Sequence, residues 1–228
     1  MRVTVAVTVT ASGELLKPMI IFKGKAGGRI QQREFPSYPG ESFYACQDRA
    51  WMDERVMKEW IKAVVKPHVQ QAPPGVHAVL LLDSYRCHLM SSIVDEISAL
   101  GVQVEHIPGG CTGLCQPIDV GIGKPFKNRV RNLWEEWMLE QGINNVISKP
   151  PSRKTLSEWI IKSLEDIGPH IVKNSWRHGE YSYFPDEATA VELAHVPDEV
   201  AATEFTNVTQ PQENDITTVG ATLAEAWI

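Results

Sequence analysis

The chain has 228 residues and a mass of 25.5 kDa, with 43% hydrophobic, 22% charged and 8% aromatic residues, the profile of a folded globular protein. No apolar run approaches the roughly 20 residues that cross a bilayer, and residues 1–5 alternate apolar and polar side chains, so no secretory signal core is expected. Four cysteines are too few for a disulfide scaffold and suit a reducing intracellular compartment.

Charge is unevenly spread. All 22 Lys and Arg lie at or before Arg177 together with 18 of the 28 acids, so residues 1–179 carry a net +4; residues 180–228 hold the other ten acids and no Lys or Arg, a net −10. A mildly basic body of about 180 residues followed by an acidic, disordered tail is the expected organisation. The body tolerates a phosphate backbone and the tail repels one, although an ordinary solvated surface carries the same charge.

In chain order, Val3, Val5, Val7 and Val9 alternate with Thr4, Ala6, Thr8 and Thr10, a period of two in β-branched residues that predicts a strand. Residues 11–14 supply a turn and 15–22 return as the second strand of a hairpin. Residues 23–29 form a glycine-rich basic loop without phosphate-loop spacing. An amphipathic helix is predicted over 53–66, with Pro67 ending it. The run Ala78-Val79-Leu80-Leu81-Leu82-Asp83 suits a central strand covered on both faces. A helix over 89–100, a strand over 102–107, and helices over 125–139 and 155–164 follow. Phe126, Val130, Leu133, Trp134, Trp137 and Met138 are expected on the buried side of the third helix, and Ile171 and Trp176 in the core. Beyond residue 181 no period is sustained, although 191–193 and 223–228 are compatible with short helical turns.

Two acids stand out. Asp83 closes the most apolar strand, where its carboxylate emerges at the sheet edge that α/β proteins use for ligands. Asp119 opens a helix, where an acid is electrostatically favoured, and 35 residues separate the two. Carboxylates meeting at such an edge hold divalent cations, and a metal pair about 3.5–4 Å apart clamps an in-line phosphoryl transfer. Magnesium suits the site because it takes a few carboxylates and completes its shell with water and phosphate oxygens. The plainer alternative is a strand end and a helix cap. Cys87, His88, His106, Cys111 and Cys115 contain metal-ligating groups, but the tandem spacing of a zinc ribbon is absent and reduced thiols are the simpler expectation.

The string Leu81-Leu82-Asp83-Ser84-Tyr85-Arg86-Cys87-His88, then Ile107-Pro108-Gly109-Gly110-Cys111-Thr112 and the run from Gln116-Pro117-Ile118-Asp119 to Lys124-Pro125-Phe126-Lys127, resembles the DDE superfamily endonuclease domain of the pogo/Tigger/jerky transposases. Upstream, Arg2-Val3-Thr4-Val5, the stretch from Pro18 to Lys25 and Trp51-Met52-Asp53-Glu54 resemble it too. The likeness covers roughly residues 1–140. It implies a ribonuclease-H-like α/β fold, a mixed sheet flanked by helices, and a nuclear enzyme that cuts and rejoins DNA with two Mg²⁺ or Mn²⁺ ions held by three acids. Asp83 matches the second acid and Asp119 the third; both are expected as catalytic residues and metal ligands. His88 matches a histidine after the second acid, an accessory group or simply a structural hydrogen-bonder. Lys124 and Lys127 are expected to contact nucleic acid, a solvated helix face being the other reading.

In that family the first acid ends a first, central strand lying upstream of Arg2-Val3-Thr4-Val5, so that strand and acid are expected to be missing here. Val79 to Leu82 would then pair directly with residues 3–10 or present a bare edge. The catalytic set is incomplete on this reading, and cleavage is expected to be impaired or lost. The expected partners are DNA and, through self-association, a second copy; no membrane is involved. A domesticated, non-catalytic module that binds DNA or protein is the alternative.

Overall fold

Eight consecutive residues rich in β-branched side chains make β1 (Val3–Thr10), and all eight are buried. The structure, a computed structural model, describes residues 2–73, 76–143, 150–179 and 218–227. In it β1 belongs to a six-stranded sheet with β2 (Met19–Lys23), β3 (Phe43–Gln47), β4 (His77–Asp83), β5 (Val102–Ile107) and β6 (Thr218–Trp227), in the order β3-β2-β1-β6-β4-β5. β1 runs antiparallel to β2 and β6, whereas β2–β3, β4–β5 and β4–β6 are parallel, so the sheet is mixed.

The period of two in β1 sorts its side chains between two cores. Val3, Val5, Val7 and Val9 pack with Leu81 against Ile118, Ile122, Phe126, Ile160 and Trp176, whereas Ala6 belongs with Ile21, Leu80 and Leu82 against Val56, Trp60, Ile93 and Ile97. Helices therefore cover both faces. The buried threonines are satisfied, as buried hydroxyls must be: Thr4 Oγ1 donates to the Ala50 carbonyl at 2.6 Å, and Thr8 Oγ1 accepts from Trp60 Nε1 at 3.1 Å.

On one face lie α1 (Glu54–Trp60), α2 (Lys66–Gln70) and α3 (Ser91–Ser98). Asp53 caps α1, its carboxylate accepting from Val56 N at 2.9 Å. The helix does not end at Pro67 as expected. A widened π-type turn, Ile61–Val65, passes the chain into α2, and Pro67 sits in the first turn of that segment, where a missing N–H is tolerated. After the short α4 (Thr112–Cys115), the other face carries a second π-type turn, Ile118–Ile122, leading into α5 (Gly123–Ile143), with α6 (Arg153–Glu165) and α7 (Pro169–His178) beside it. Phe126, Val130 and Leu133 of α5 are buried as expected, but Trp134 is exposed and Trp137 only half-buried. Among the described residues no helix is long and apolar enough to cross a membrane.

β6 departs most from expectation. Of the segment allowed as helical turns at 223–228, residues 223–227 belong to a strand, and the strand lies between β1 and β4. Val79 to Leu82 therefore neither pair with β1 nor form an edge; they pair with β6 on one side and β5 on the other. Ala221 stands opposite Thr10 in one ladder and Leu80 in the other. Residues 191–193 lie outside the described residues.

A proline within a central strand removes a ladder hydrogen bond and forces the backbone apart, costing about 3 kcal/mol or more. For a chain of this length the Ala221→Pro variant is therefore expected to melt about 6–12 °C below wild type by circular dichroism. An unchanged melting temperature would place residues 218–227 outside the sheet.

Candidate functional site

β4 delivers Asp83 to its carboxyl end because the three residues before it, Leu80 to Leu82, are locked in the core. The chain then turns tightly around the carboxylate. Oδ1 of Asp83 accepts from the Tyr85 backbone N–H at 3.0 Å and from His88 Nδ1 at 2.6 Å, and Ser84 Oγ ties the turn to the Ile107 carbonyl at the end of β5. His88 is fully buried, its ring edge-on to Tyr85 with centroids 5.7 Å apart, and its carbonyl accepts from His106 Nε2 at 3.1 Å. A carboxylate oxygen only accepts, so the proton of this contact rides on His88 Nδ1. The other ring nitrogen, Nε2, is buried without a hydrogen-bond partner.

Asp119 arrives on the π-type turn, held by Ile118 and Ile122, which plunge into the core on either side. The Asp119 and Val120 N–H groups both donate to the Gln116 carbonyl at 3.0 Å. α7 braces the turn from outside. A Cβ at Gly121 would come within 2.5 Å of the Cβ of buried Ser175, so only glycine allows α7 this close.

The two carboxyls are pulled in opposite directions. For Asp83, burial acts to raise the pKa but is outweighed by the His88 hydrogen bond and charge, the Tyr85 N–H and a smaller effect of His106; the group is held below its ordinary value. For Asp119, partial loss of hydration comes first and the negative charge of Asp83 second, with Lys127 opposing, and the group is pushed up. Its side chain is still largely solvent-exposed, so water screens much of that repulsion. Asp119 thus lies within the field of Asp83 at the carboxyl end of β4. Lys124 and Lys127 are exposed at the start of α5, and Lys127 is near enough to act on Asp119.

Asp83 Oδ1 is committed to His88 and Tyr85, whereas Oδ2 takes no hydrogen bond among the described residues. One free carboxylate oxygen beside a second carboxylate that is destabilised by its charge fits a single hard divalent cation, which completes its shell with water and phosphate oxygens. A two-ion clamp needs more donors than these, and among the described residues no group of three or more His, Cys, Asp or Glu is placed to hold a metal. The four cysteines are free thiols, and Cys115 Sγ points to the Cys111 carbonyl.

Register identifies where a further donor would have to stand. Leu82 pairs with Leu223 and Val7 with Ala224, so Ala224 is the position of β6 that falls in line with Asp83. The roles of Tyr85 and His106 went unnoticed in the sequence, because one acts through its backbone and the other lies 23 residues from Asp83; the five-residue step from Asp83 to His88 was the only local signal.

A family model described as DDE superfamily endonuclease matches residues 1–176. Among known proteins, the chain is similar to the mouse and human proteins called "Pogo transposable element with KRAB domain", at 29% and 27% identity over 78% of this chain and 28% of each relative. It is also similar to the human "Pogo transposable element with ZNF domain", at 23% identity over 75% of this chain and 12% of that protein. The chain thus spans less than a third of the length of these relatives. No solved structure matches it.

Opposite pKa directions predict opposite stability effects. Asp83, depressed, contributes stability that is full above its unfolded value and is lost as pH falls through the folded one; Asp119, raised, opposes folding once ionised and is neutral to stability where both states are protonated. At pH 7 the Asp83→Asn variant, which leaves His88 without its carboxylate, is expected to lose about 1–3 kcal/mol in denaturant melts. Asp119→Asn should stay within about 0.5 kcal/mol of wild type or exceed it. Equal losses in both would contradict the assigned geometry.

Proposed function

The chain belongs to the DDE superfamily endonuclease family, and from that premise we propose that it is a transposase-derived DNA-binding domain whose Asp83 and Asp119 hold Mg²⁺ or Mn²⁺ and whose cleavage activity is impaired. The observation that carries this reading is that Ile118 and Ile122, which flank Asp119, share one core with Leu81, two residues before Asp83, so that Asp119 stands in the field of Asp83 at the carboxyl end of β4. The reading includes a ribonuclease-H-like sheet and action on DNA in the nucleus, with a body formed by residues 1–180 and completed by β6, a strand that belongs to the acidic segment 181–228.

In this scheme each residue has a limited task. His88 and the Tyr85 N–H hold Oδ1 of Asp83, so that Oδ2 is the oxygen offered to a cation. Asp119, raised first by partial burial and second by the charge of Asp83, gains when a cation arrives, because the cation offsets both penalties on its ionised form. A bound divalent cation supplies Lewis acidity and charge neutralisation at a phosphodiester. Lys127 and Lys124 add positive charge on the approach side, where phosphate contacts position a strand without reading its sequence. Cleavage is impaired because two carboxylates support one ion better than an ion pair. The same observation favours the second reading, a non-catalytic module in which the site no longer turns over.

Plasmid nicking in Mn²⁺, with DNA affinity measured in parallel, tests both. The expected result is DNA binding that weakens steeply with salt and slow metal-dependent nicking that Asp83→Asn and Asp119→Asn each abolish. Nicking untouched by Asp119→Asn would remove the site assignment, and metal-independent binding without nicking would favour the module. Adding a donor at the β6 position in line with Asp83, by Ala224→Asp, is expected to tighten Mn²⁺ binding about tenfold by calorimetry, since affinity follows the count of charged ligands. Unchanged affinity would exclude position 224 from the site.

A further inference from the structure

The turn that grips Asp83 has a second side. Its residues Tyr85 and Arg86 form one wall of an open cleft of about 830 Å³, and the loop after β3, with Gln47, Arg49 and Trp51, forms the other. We propose that this cleft binds a single nucleic-acid strand, Arg49 and Arg86 taking its phosphates and Trp51 with Tyr85 providing an aromatic wall for a base. The inference deepens the DNA-binding reading above and rests on it.

Three observations carry it. First, the 47–51 loop is built to one shape. Gln47 Oε1 accepts from both Arg49 N, at 2.7 Å, and Trp51 N, at 3.0 Å; Ala50 N donates to the Gln47 carbonyl at 2.9 Å; and Thr4 of β1 clamps the Ala50 carbonyl. Ala50 is fully buried and adopts φ of 58°, a left-handed conformation that a residue with a Cβ rarely takes. Such strain persists where surrounding structure enforces it, and it gathers at ligand-holding sites.

Second, the charge in the cleft is positive where it is uncommitted. Asp53 and Glu54 also line it, but Asp53 caps α1, and Glu54 is engaged by Lys58 and Ser92, both at 2.8 Å. Arg49 and Arg86 are exposed, and neither enters an ion pair among the described residues. Third, aromatic surface is interleaved with that charge. The rings of Trp51 and Tyr85 are 6.5 Å apart, Trp51 remains 36% exposed, and the Arg2 guanidinium lies 5.2 Å from its ring centroid. Cations alternating with aromatic faces are what a single strand requires, the backbone following the charge while bases stack. The volume is on the scale of one drug-sized ligand, hence about two nucleotides and not a duplex. Tyr85, whose backbone N–H holds Asp83, lines the cleft, so a strand lying there is next to the turn that carries that carboxylate.

Fluorescence anisotropy of the full chain with a labelled single-stranded oligonucleotide and the matching duplex tests this. Arg49→Ala/Arg86→Ala is expected to weaken single-strand binding at least about tenfold and to lower the single-strand salt slope by about 1.4. Trp51→Ala is expected to weaken single-strand binding about tenfold with a smaller effect on duplex. Arg86→Ala alone, at an exposed position without an ion pair among the described residues, keeps the test valid if the others fold poorly; it should lower the single-strand slope by about 0.7. Unchanged affinity in the arginine variants, or a Trp51 effect equal on both forms, overturns the cleft assignment while leaving DNA binding intact. Wild-type protein that binds neither form overturns both readings.

Discussion

A strand in the middle of a sheet must satisfy its backbone on both sides, and here β1 and β4 meet only through β6. Each has its other flank already paired, β1 with β2 and β4 with β5. Without β6 the sheet would be two halves, each presenting an unpaired row of backbone donors and acceptors in the centre of the molecule. Both cores span that seam. The valines of β1 share one core with Leu81, and Ala6 shares the other with Leu80 and Leu82. The apolar contacts hold the halves face to face, but the hydrogen-bonded ladders across the gap belong to residues 218–227. The same seam ends at Asp83, so the strand that closes the sheet also stands beside the candidate metal ligand.

At that edge, geometry and electrostatics separate two otherwise similar carboxylates. Asp83 is anchored, with one oxygen consumed by a buried imidazole and a backbone N–H, so it remains ionised and fixed in direction. Asp119 is exposed, unanchored at its carboxylate among the described residues, and burdened by its neighbour's charge. A pair whose environments push the two groups apart is common where a protein must bind or exchange charge. Structural ion-pair networks perturb carboxyls too, yet they do so by bringing in cations. The nearest cation acting on Asp119 is Lys127, and its effect ranks below both loss of hydration and Asp83. The arrangement is therefore under-neutralised, which is consistent with the cation ligation proposed for these two carboxylates.

Much of this was legible in the sequence where one physical signal dominated. β1, β4 and β5 follow from alternation or from an unbroken apolar run, and α1 from the amphipathic period over 53–66. The failures have equally local causes. Pro67 reads as a terminator because proline breaks an α-helix, but a widened turn before it relieves the clash. Trp134 fits a helical stripe of α5 yet lies outside it, since the buried face is narrow and ends at Leu133. β3 is only five residues long, and β6 interrupts its Thr, Val and Trp with a glycine and three alanines, so long-range pairing decides them. Of the site, Asp83 was readable from its place at the end of β4. That Asp119 lies near it is tertiary information, which the sequence supplied only through family resemblance.

The composition of β6 has a further consequence for the site. Positions between two ladders and under helices on both faces favour small residues wherever the layers approach closely, and β6 offers Gly220, Ala221, Ala224 and Ala226. By register, an acid at position 224 would stand in line with Asp83, and a second carboxylate beside a first is costly unless a cation compensates it. A metal-free sheet is thus more stable with alanine there, whereas a metal-loaded one gains from a carboxylate. The identity of this one residue sets whether the edge is optimised for holding the sheet together or for holding an ion. In this chain, by register, it favours the sheet.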